Sequence, residues 1–392
     1  MSTNTTPHYF FHRAFRPFFL GAMLFSVMSM FIWWLSFQGF AFEFSGVPGM
    51  YWHAHEMVFG YALATVAGFL LTAVMNWTKL NSASGRALAV VVVVWLLARL
   101  GFVLNWPIFW VAVFDMLFVV GLFLHFALPI IKTKQWQQTG LAIKFLLLVL
   151  ANGLFYFGAL GYVDNGVHLG TVLGLFLVLA INLTMMRRLI PFFTEKTLAL
   201  NEQHQPKWLD ILAIMGFLAL MLAAAFAPVS LWTTMIAIPL FIVHLIRFVR
   251  WFKPKIFKFA VLWPLHVSYL FMLAGIGLYA FVGLGLLHES IAIHALAAGG
   301  IGLLCSAILA RIALGHSNRN IYEPPKWINV VFYLLLLTAV VRVFFPVVLP
   351  EYNAFWMLLS QWGWIIAFAL LSLQYWKILV YPSPKPETGI LL

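Results

Sequence analysis

Twelve histidines stand out in a chain of 392 residues that has few other polar side chains. The densest grouping is Trp52-His53-Ala54-His55-Glu56-Met57, two imidazoles and a carboxylate within four positions. Imidazoles ligate transition metals and haem iron and exchange protons near neutral pH, and a neighbouring carboxylate can take up the proton or balance the charge. On a regular helix, positions two apart point about 200° apart, so His53 and His55 cannot grip one metal together. One could be a ligand and the other a proton-carrying group, with Glu56 beside it as a second proton carrier.

A second grouping begins at His294 and runs through Ala295-Leu296-Ala297-Ala298-Gly299-Gly300-Ile301-Gly302. Counting down a regular helix gives Met57, Gly60, Ala64 and Gly68 on the His53 face, and Ala298 and Gly302 on the His294 face. Such a stripe could bed a flat macrocycle, or could simply let two membrane helices pack closely. Paired in space, these histidines would offer two axial imidazoles to one haem or one to each of two metals. Unpaired, they are interfacial side chains bonded to backbone or lipid.

His266, in Trp263-Pro264-Leu265-His266, and His316, between Arg311 and Arg319, complete the metal-ligand candidates His53, His55, His266, His294 and His316. Arginines such as Arg311 and Arg319 either satisfy the cytoplasmic charge bias or hold carboxylates of a cofactor. His125, His168 and His244 read as structural, while His8, His12 and His204 fall in a tail or in loops. Asp115 reads as a carboxylate of a proton path or as a hydrogen-bonded packing residue. Cys305, the only cysteine, excludes an internal disulfide and a thiolate-cluster metal site, and no Cys-x-x-Cys-His run exists for covalent haem attachment.

The elements that must position these groups follow from composition. The chain is 64% hydrophobic and 9% charged with mean hydropathy +0.98, against about 25% charged for a soluble domain. Lipid must therefore be the solvent for most of the surface. Apolar runs at 17–37, 52–75, 87–104, 107–131, 141–160, 167–186, 208–226, 230–246, 259–281, 291–314, 328–345 and 354–378 predict an all-α integral membrane protein. About twelve transmembrane helices follow, in one polytopic domain over 1–392. The continuous runs exclude a membrane β-barrel, and the first is too long for a signal-peptide core. With both termini placed inside, all of the 23 Lys and Arg except Arg99 and Arg342 fall on the cytoplasmic side. Those two lie in outer halves of spans and need an anionic partner such as Glu56, Asp164, Glu289 or a cofactor carboxylate. The net charge of +12 then reflects contact with anionic lipid rather than with nucleic acid. The one long connection, Arg187 to Lys207, is expected to be a charged cytoplasmic loop.

Several blocks in order along the chain resemble the NnrS family of nitric-oxide-response membrane proteins. They are Phe15-Arg16-Pro17-Phe18-Phe19, His53 to Gly60 running on to Ala67–Val74 and Asn76-Trp77-Thr78, Arg188-Leu189-Ile190-Pro191-Phe192-Phe193-Thr194, Trp263 to His266, His294-Ala295-Leu296, and Arg311 to Arg319. Ser317-Asn318 departs from the Thr-Gly of the family pattern. The resemblance implies a multi-pass protein of the bacterial inner membrane that binds haem, with copper also reported for the class, and protects against nitric oxide. In that setting the haem would be of b type, one or two in number, and Arg16, Arg99, Arg188, Arg311 and Arg319 are candidates to hold its carboxylates.

Three functions compete. A redox enzyme would take electrons from membrane quinol and reduce nitric oxide to nitrous oxide at a His-ligated haem. A transporter would suit the helix count, but the spans are nearly free of acidic coupling residues and show no evident paired broken helices. A non-catalytic haem or copper protein would carry or sense nitric oxide without turnover.

Overall fold

The computed structural model describes residues 9–201 and 206–382. His8 and His204 lie outside the described residues. No strand occurs among the described residues. Twelve helices there are long and apolar enough to cross a membrane, and the chain is a multi-pass membrane protein. They are α1 (Phe15–Phe37), α2 (Gly49–Thr78), α3 (Gly85–Val103), α4 (Ile108–Lys132), α5 (Trp136–Ala159), α6 (Gly166–Leu198), α7 (Lys207–Phe226), α8 (Leu231–Trp251), α9 (Trp263–Gly283), α10 (Glu289–His316), α11 (Ile328–Val348) and α12 (Pro350–Val380).

The expected loop after Met186 is in fact helix. Helix α6 continues through Arg187, Arg188 and Pro191 to Leu198, because Leu189, Ile190 and Phe193 are buried and one continuous helix satisfies their backbone groups. Helix α9 begins at Trp263 rather than near Phe259, which puts His266 in its first turn. A third difference concerns regularity. Both histidine-bearing helices contain a wide, π-helical segment, Glu56–Ala62 in α2 and Ala295–Gly302 in α10, each starting directly after a histidine. The extra residue per turn breaks the 3.6-residue count, so the faces drawn from His53 and His294 on a regular helix do not continue straight down. Such segments gather at functional sites.

Two compact units form, and each takes pieces from several parts of the chain. The first holds residues through Val178, Leu309–Trp327 and those from Phe368. In it α2 packs on α1 and α4, α3 on α4, and α4 on α5. The start of α6 docks on α5 through Gly166, Gly170 and Gly158. A Cβ on Gly158 would stand 2.3 Å from Val167 N, and one on Gly170 would stand 2.4 Å from Phe155 N. The sequence Gly166-x-x-x-Gly170-x-x-x-Gly174 is thus a close-packing face of the small-residue kind. The second unit holds Leu179–Ile308 and Ile328–Ala367, in which α7, α8, α9, α10 and α11 pack in succession.

The small residues below the histidines are filled by neighbouring side chains. A Cβ on Gly60 would meet the Phe25 ring at 2.4 Å, one on Gly68 the Phe19 ring at 2.7 Å, and one on Gly302 the Trp364 ring at 2.6 Å. Of the two readings of these stripes, close helix packing is the one this structure displays.

Candidate functional site

The strongest concentration of polar chemistry lies inside the first unit, where α2, α3, α4 and α5 bring together His55, Glu56, Arg99, Asp115, Asn152 and Tyr156. All six are buried, with His55, Asp115 and Asn152 at 0% exposure and Glu56 and Arg99 at 1%. Arg99 bridges two helices, with NH1 donating to Glu56 Oε1 at 2.5 Å and NH2 donating to Asp115 Oδ1. Asp115 Oδ2 also accepts from Asn152 Nδ2 and from the Tyr156 hydroxyl, each at 3.0 Å.

His55 completes the network. Its Nδ1 lies 3.0 Å from Glu56 Oε1, and its Nε2 lies 3.0 Å from Asn152 Oδ1 and 3.4 Å from Asp115 Oδ2. Since the Asn152 amide group is spent on Asp115, the Asn152 atom facing Nε2 is its carbonyl oxygen, as the bonding pattern assigns it. Both ring nitrogens then face acceptors only, which makes His55 a doubly donating imidazolium. Two cations and two carboxylates leave the cluster neutral, the condition under which charges persist in a dry interior. In this arrangement neither nitrogen of His55 offers a lone pair to a metal. Rings of Phe155 and Phe59 stack on the imidazole at 4.2 Å and 4.9 Å. One acceptor is left over: Glu56 Oε2 is buried with no hydrogen-bond partner.

The local sequence explains the assembly. Arg99 stands five residues before Leu104 and Asp115 eight after Pro107, on antiparallel helices joined by the short turn 104–107. Both side chains are therefore at comparable depth. The glycine face of α6 seats α5, which carries Asn152 and Tyr156, and a Cβ on Gly174 would meet the Phe59 ring at 2.5 Å. Trp95 Nε1 donates to the Gly60 carbonyl at 3.1 Å, within the wide segment of α2.

His53 points away from this cluster, as the two-residue spacing requires, and stacks on Trp33 of α1 with ring centroids 4.8 Å apart and planes 10° apart. His294, half-buried in the second unit, has Nδ1 2.6 Å from the Ser290 carbonyl. A carbonyl only accepts, so Nδ1 carries the proton and Nε2 is the ring nitrogen turned away from the backbone. That is how metal-binding histidines are oriented. His266, buried, faces Thr194 Oγ1 at 3.3 Å and the Leu262 carbonyl at 3.4 Å. His316 is buried against the Phe15 ring, centroids 5.7 Å apart.

The arginine candidates are dispersed. Arg16, fully buried, donates from NH1 to the carbonyls of Leu379 at 2.7 Å and Ile378 at 3.2 Å, and from NH2 to the Tyr9 hydroxyl at 2.5 Å. It therefore caps the last turn of α12. Arg99 has Glu56 and Asp115 as its anions. Arg311 is buried in the first unit, Arg319 is half-buried there, and Arg188 is half-buried in the second. Asn152 and Tyr156 carry no sign of this cluster in the sequence, whereas Arg99 and Asp115, at similar depths in consecutive spans, carry the signal that pairs them. Among the described residues no group of three or more His, Cys, Asp or Glu side chains converges as a metal site.

Twelve apolar spans, with a buried ion network inside the first unit and a histidine at the head of each of two wide helical segments, define a multi-pass membrane protein. Residues 9–383 match the family model described as NnrS protein, and the chain belongs to the NnrS family. No curated protein sequence matches the chain. Of the histidines, His294 has the ring orientation an axial ligand of haem would need, its Nδ1–H held by a backbone carbonyl.

Proposed function

We propose that this protein removes nitric oxide in the bacterial inner membrane, with both termini cytoplasmic, by reducing it to nitrous oxide with electrons from quinol. Two molecules of nitric oxide take up two electrons and two protons, an N–N bond forms, one N–O bond breaks, and nitrous oxide and water leave. Haem, when bound, supplies the iron that binds nitric oxide and passes the electrons, with His294 the best-oriented candidate to hold it. The protein's own residues would handle the protons. His55 carries a proton that is held between Glu56, Asn152 and Asp115. Glu56 can pick that proton up at Oε1 and has Oε2 open to pass it on or to receive the next.

The observation that carries this reading is the open Glu56 Oε2, the one acceptor without a hydrogen-bond partner in a buried network whose other unmet atom is a donor, Arg99 Nε. A network serving packing alone would be satisfied throughout. Arg99 holds the carboxylate in place whichever way the proton moves.

The test starts from the purified protein and its visible spectrum before and after dithionite, since a Soret band must be present. An electrode then follows nitric oxide removal with a reduced quinol analogue while nitrous oxide is collected. Glu56→Gln should keep haem content and spectrum and lower turnover by about a hundredfold or more, the scale of a lost proton-transfer group. Stoichiometric binding of nitric oxide without turnover in a haem-replete sample, with several donors tried, would replace this reading by that of a carrier or sensor.

A further inference from the structure

Arg99 finds its anions inside the chain. Arg342, the other arginine that the sequence places in the outer half of a span, does not. It is half-buried in α11, and among the described residues no hydrogen bond, ion pair or ring contact engages its guanidinium. Of the carboxylates weighed for it, Glu56 is held by Arg99, Glu289 accepts the Tyr279 hydroxyl at 3.0 Å, and Asp164 belongs to the first unit. A cation left alone in an apolar span is costly and by default marks a functional site.

Packing places this cation beside His294. Ile291 and Ala295 of α10 form one buried apolar cluster with Val343 of α11. The two are consecutive, antiparallel spans. Stepping back one residue on each, to His294 and Arg342, therefore turns both side chains to the same side of the pair and at matching depth. The opposite side is taken by α9, where Phe271 meets Phe344 with ring centroids 6.3 Å apart and a Cβ on Gly275 would stand 2.6 Å from Leu296. Further in, α12 closes the side that Arg342 faces. A Cβ on Gly363 would stand 2.3 Å from the hydroxyl of Thr338, one turn below Arg342, and the Trp364 ring covers Gly302 of α10. His294 and Arg342 lie above that floor, and each keeps part of its surface exposed. A ligand reaches them from the end of the unit at which α10 starts, without entering the packed interior.

We propose that Arg342 anchors a carboxylate of the haem whose iron His294 takes. The inference rests on the reading of His294 given above and adds the residue that fixes the direction of the macrocycle. Packed helices have axes about 8–10 Å apart, which is the scale separating the centre of a porphyrin from the carboxylates at its edge. The guanidinium fork matches a carboxylate with two parallel N–H···O bonds and stays charged at any working pH. The carboxylate in turn supplies the negative charge that the span itself lacks. A lipid phosphate would meet the same charge, but it has no use for the neighbouring imidazole, whose Nδ1–H is tied to the Ser290 carbonyl at 2.6 Å so that Nε2 faces away from the backbone.

Haem and its dimethyl ester, in which both carboxylates are capped, separate these sources by binding rather than by turnover. The full-length protein, made without haem and placed in nanodiscs, is titrated with each and followed by its visible spectrum. Wild type should hold haem about ten- to a hundredfold more tightly than the ester, the scale of one hydrogen bond between charged groups. Arg342→Gln should bind haem and ester alike, at the affinity wild type has for the ester. Arg342→Lys, which keeps the charge without the fork, should retain part of the preference. His294→Ala should weaken haem and ester by the same factor, and Lys255→Gln, exposed elsewhere in the second unit, should behave as wild type. Melting curves check that each variant is folded. Should the protein not survive without haem, the holoprotein carries the comparison: the propionate bending band of its resonance Raman spectrum should shift in Arg342→Gln and stay in place in Lys255→Gln. A wild-type preference for haem in Arg342→Gln, or an unmoved propionate band, would assign the guanidinium to a lipid phosphate and overturn the proposal. Loss of the preference in Arg311→Gln alone would place the carboxylate elsewhere and overturn it equally. Haem held through Arg342 without nitric oxide removal would leave this site standing and remove the reductase reading, whereas nitric oxide removal by a haem indifferent to Arg342 would do the reverse.

Discussion

Glu56 and Arg99 meet at 2.5 Å across α2 and α3, each with 1% of its surface exposed. The contact joins the helix that carries the paired histidines to α3, whose arginine is buried within an apolar span. It also explains why that arginine can be there: a lone cation in the apolar layer is costly, whereas one held between two carboxylates beside a second cation is not.

Removing the guanidinium should therefore strand two buried carboxylates on one imidazolium. Arg99→Gln should destabilise the protein by about 3–5 kcal/mol, the cost of breaking a buried pair from one side. Adding Glu56→Gln removes one of the stranded charges and should recover part of that loss, a non-additivity read from denaturation of the two single variants and the double variant.

Tyr156 reports on the other side of the network. Its hydroxyl donates to Asp115 Oδ2, so Tyr156→Phe should cost about 1.5–3 kcal/mol, the range for a hydrogen bond to a charged group. A melting temperature equal to that of the wild type would show that Asp115 does not need this donor.

Close packing at the wide segment gives a steric prediction. Gly60→Ala would press a methyl group onto Phe25 and the Arg99 guanidinium, 2.4 and 3.0 Å from the new carbon. A loss of about 1–3 kcal/mol is expected. Combining it with Phe25→Leu should return much of the stability, as seen in melting curves, because the space rather than the glycine itself is what matters.

The proposed orientation is open to labelling. In a Cys305→Ala background, a cysteine at Ser45 should react with an impermeant thiol reagent added outside intact cells, and one at Asn201 should react only after lysis. Labelling of Asn201 from outside would reverse the membrane orientation.

For the haem, His294→Ala should empty the site or change its spin state. Ser290→Ala should not, since the carbonyl that orients the imidazole belongs to the backbone. His55→Gln should retain the pigment, because His55 is committed to Glu56 and Asn152.

Much of this was legible in the residues. Helix count follows from run length, and the opposed directions of His53 and His55 follow from their spacing. The partner of Arg99 was partly legible, since Glu56 was among the anions considered for it. The rest required packing. Asp115 gave no sign of its three hydrogen-bond donors because Asn152 and Tyr156 lie in α5, whose place is fixed by packing on α4 and by the backbone-to-backbone approach of Gly158, Gly166 and Gly170. The wide segments were invisible for a similar reason. Glu56–Ala62 and Ala295–Gly302 have compositions that suit an ordinary helix, and the side chains packed on them, Phe25 on Gly60 and Phe271 and Trp364 on Gly299 and Gly302, come from other helices. His244 read as structural because its tyrosine partner lies on another helix, twenty-five positions away.

Arg16 imposes an order on how the protein is made. Its guanidinium belongs to the first span, but the carbonyls it caps lie more than three hundred and sixty positions later, at Ile378 and Leu379. Until the last helix is made, the first helix carries a cation two of whose native acceptors, the carbonyls of Ile378 and Leu379, have not been synthesised. Completion of the last helix closes that latch, so the two ends of the described chain are tied together only once it is whole.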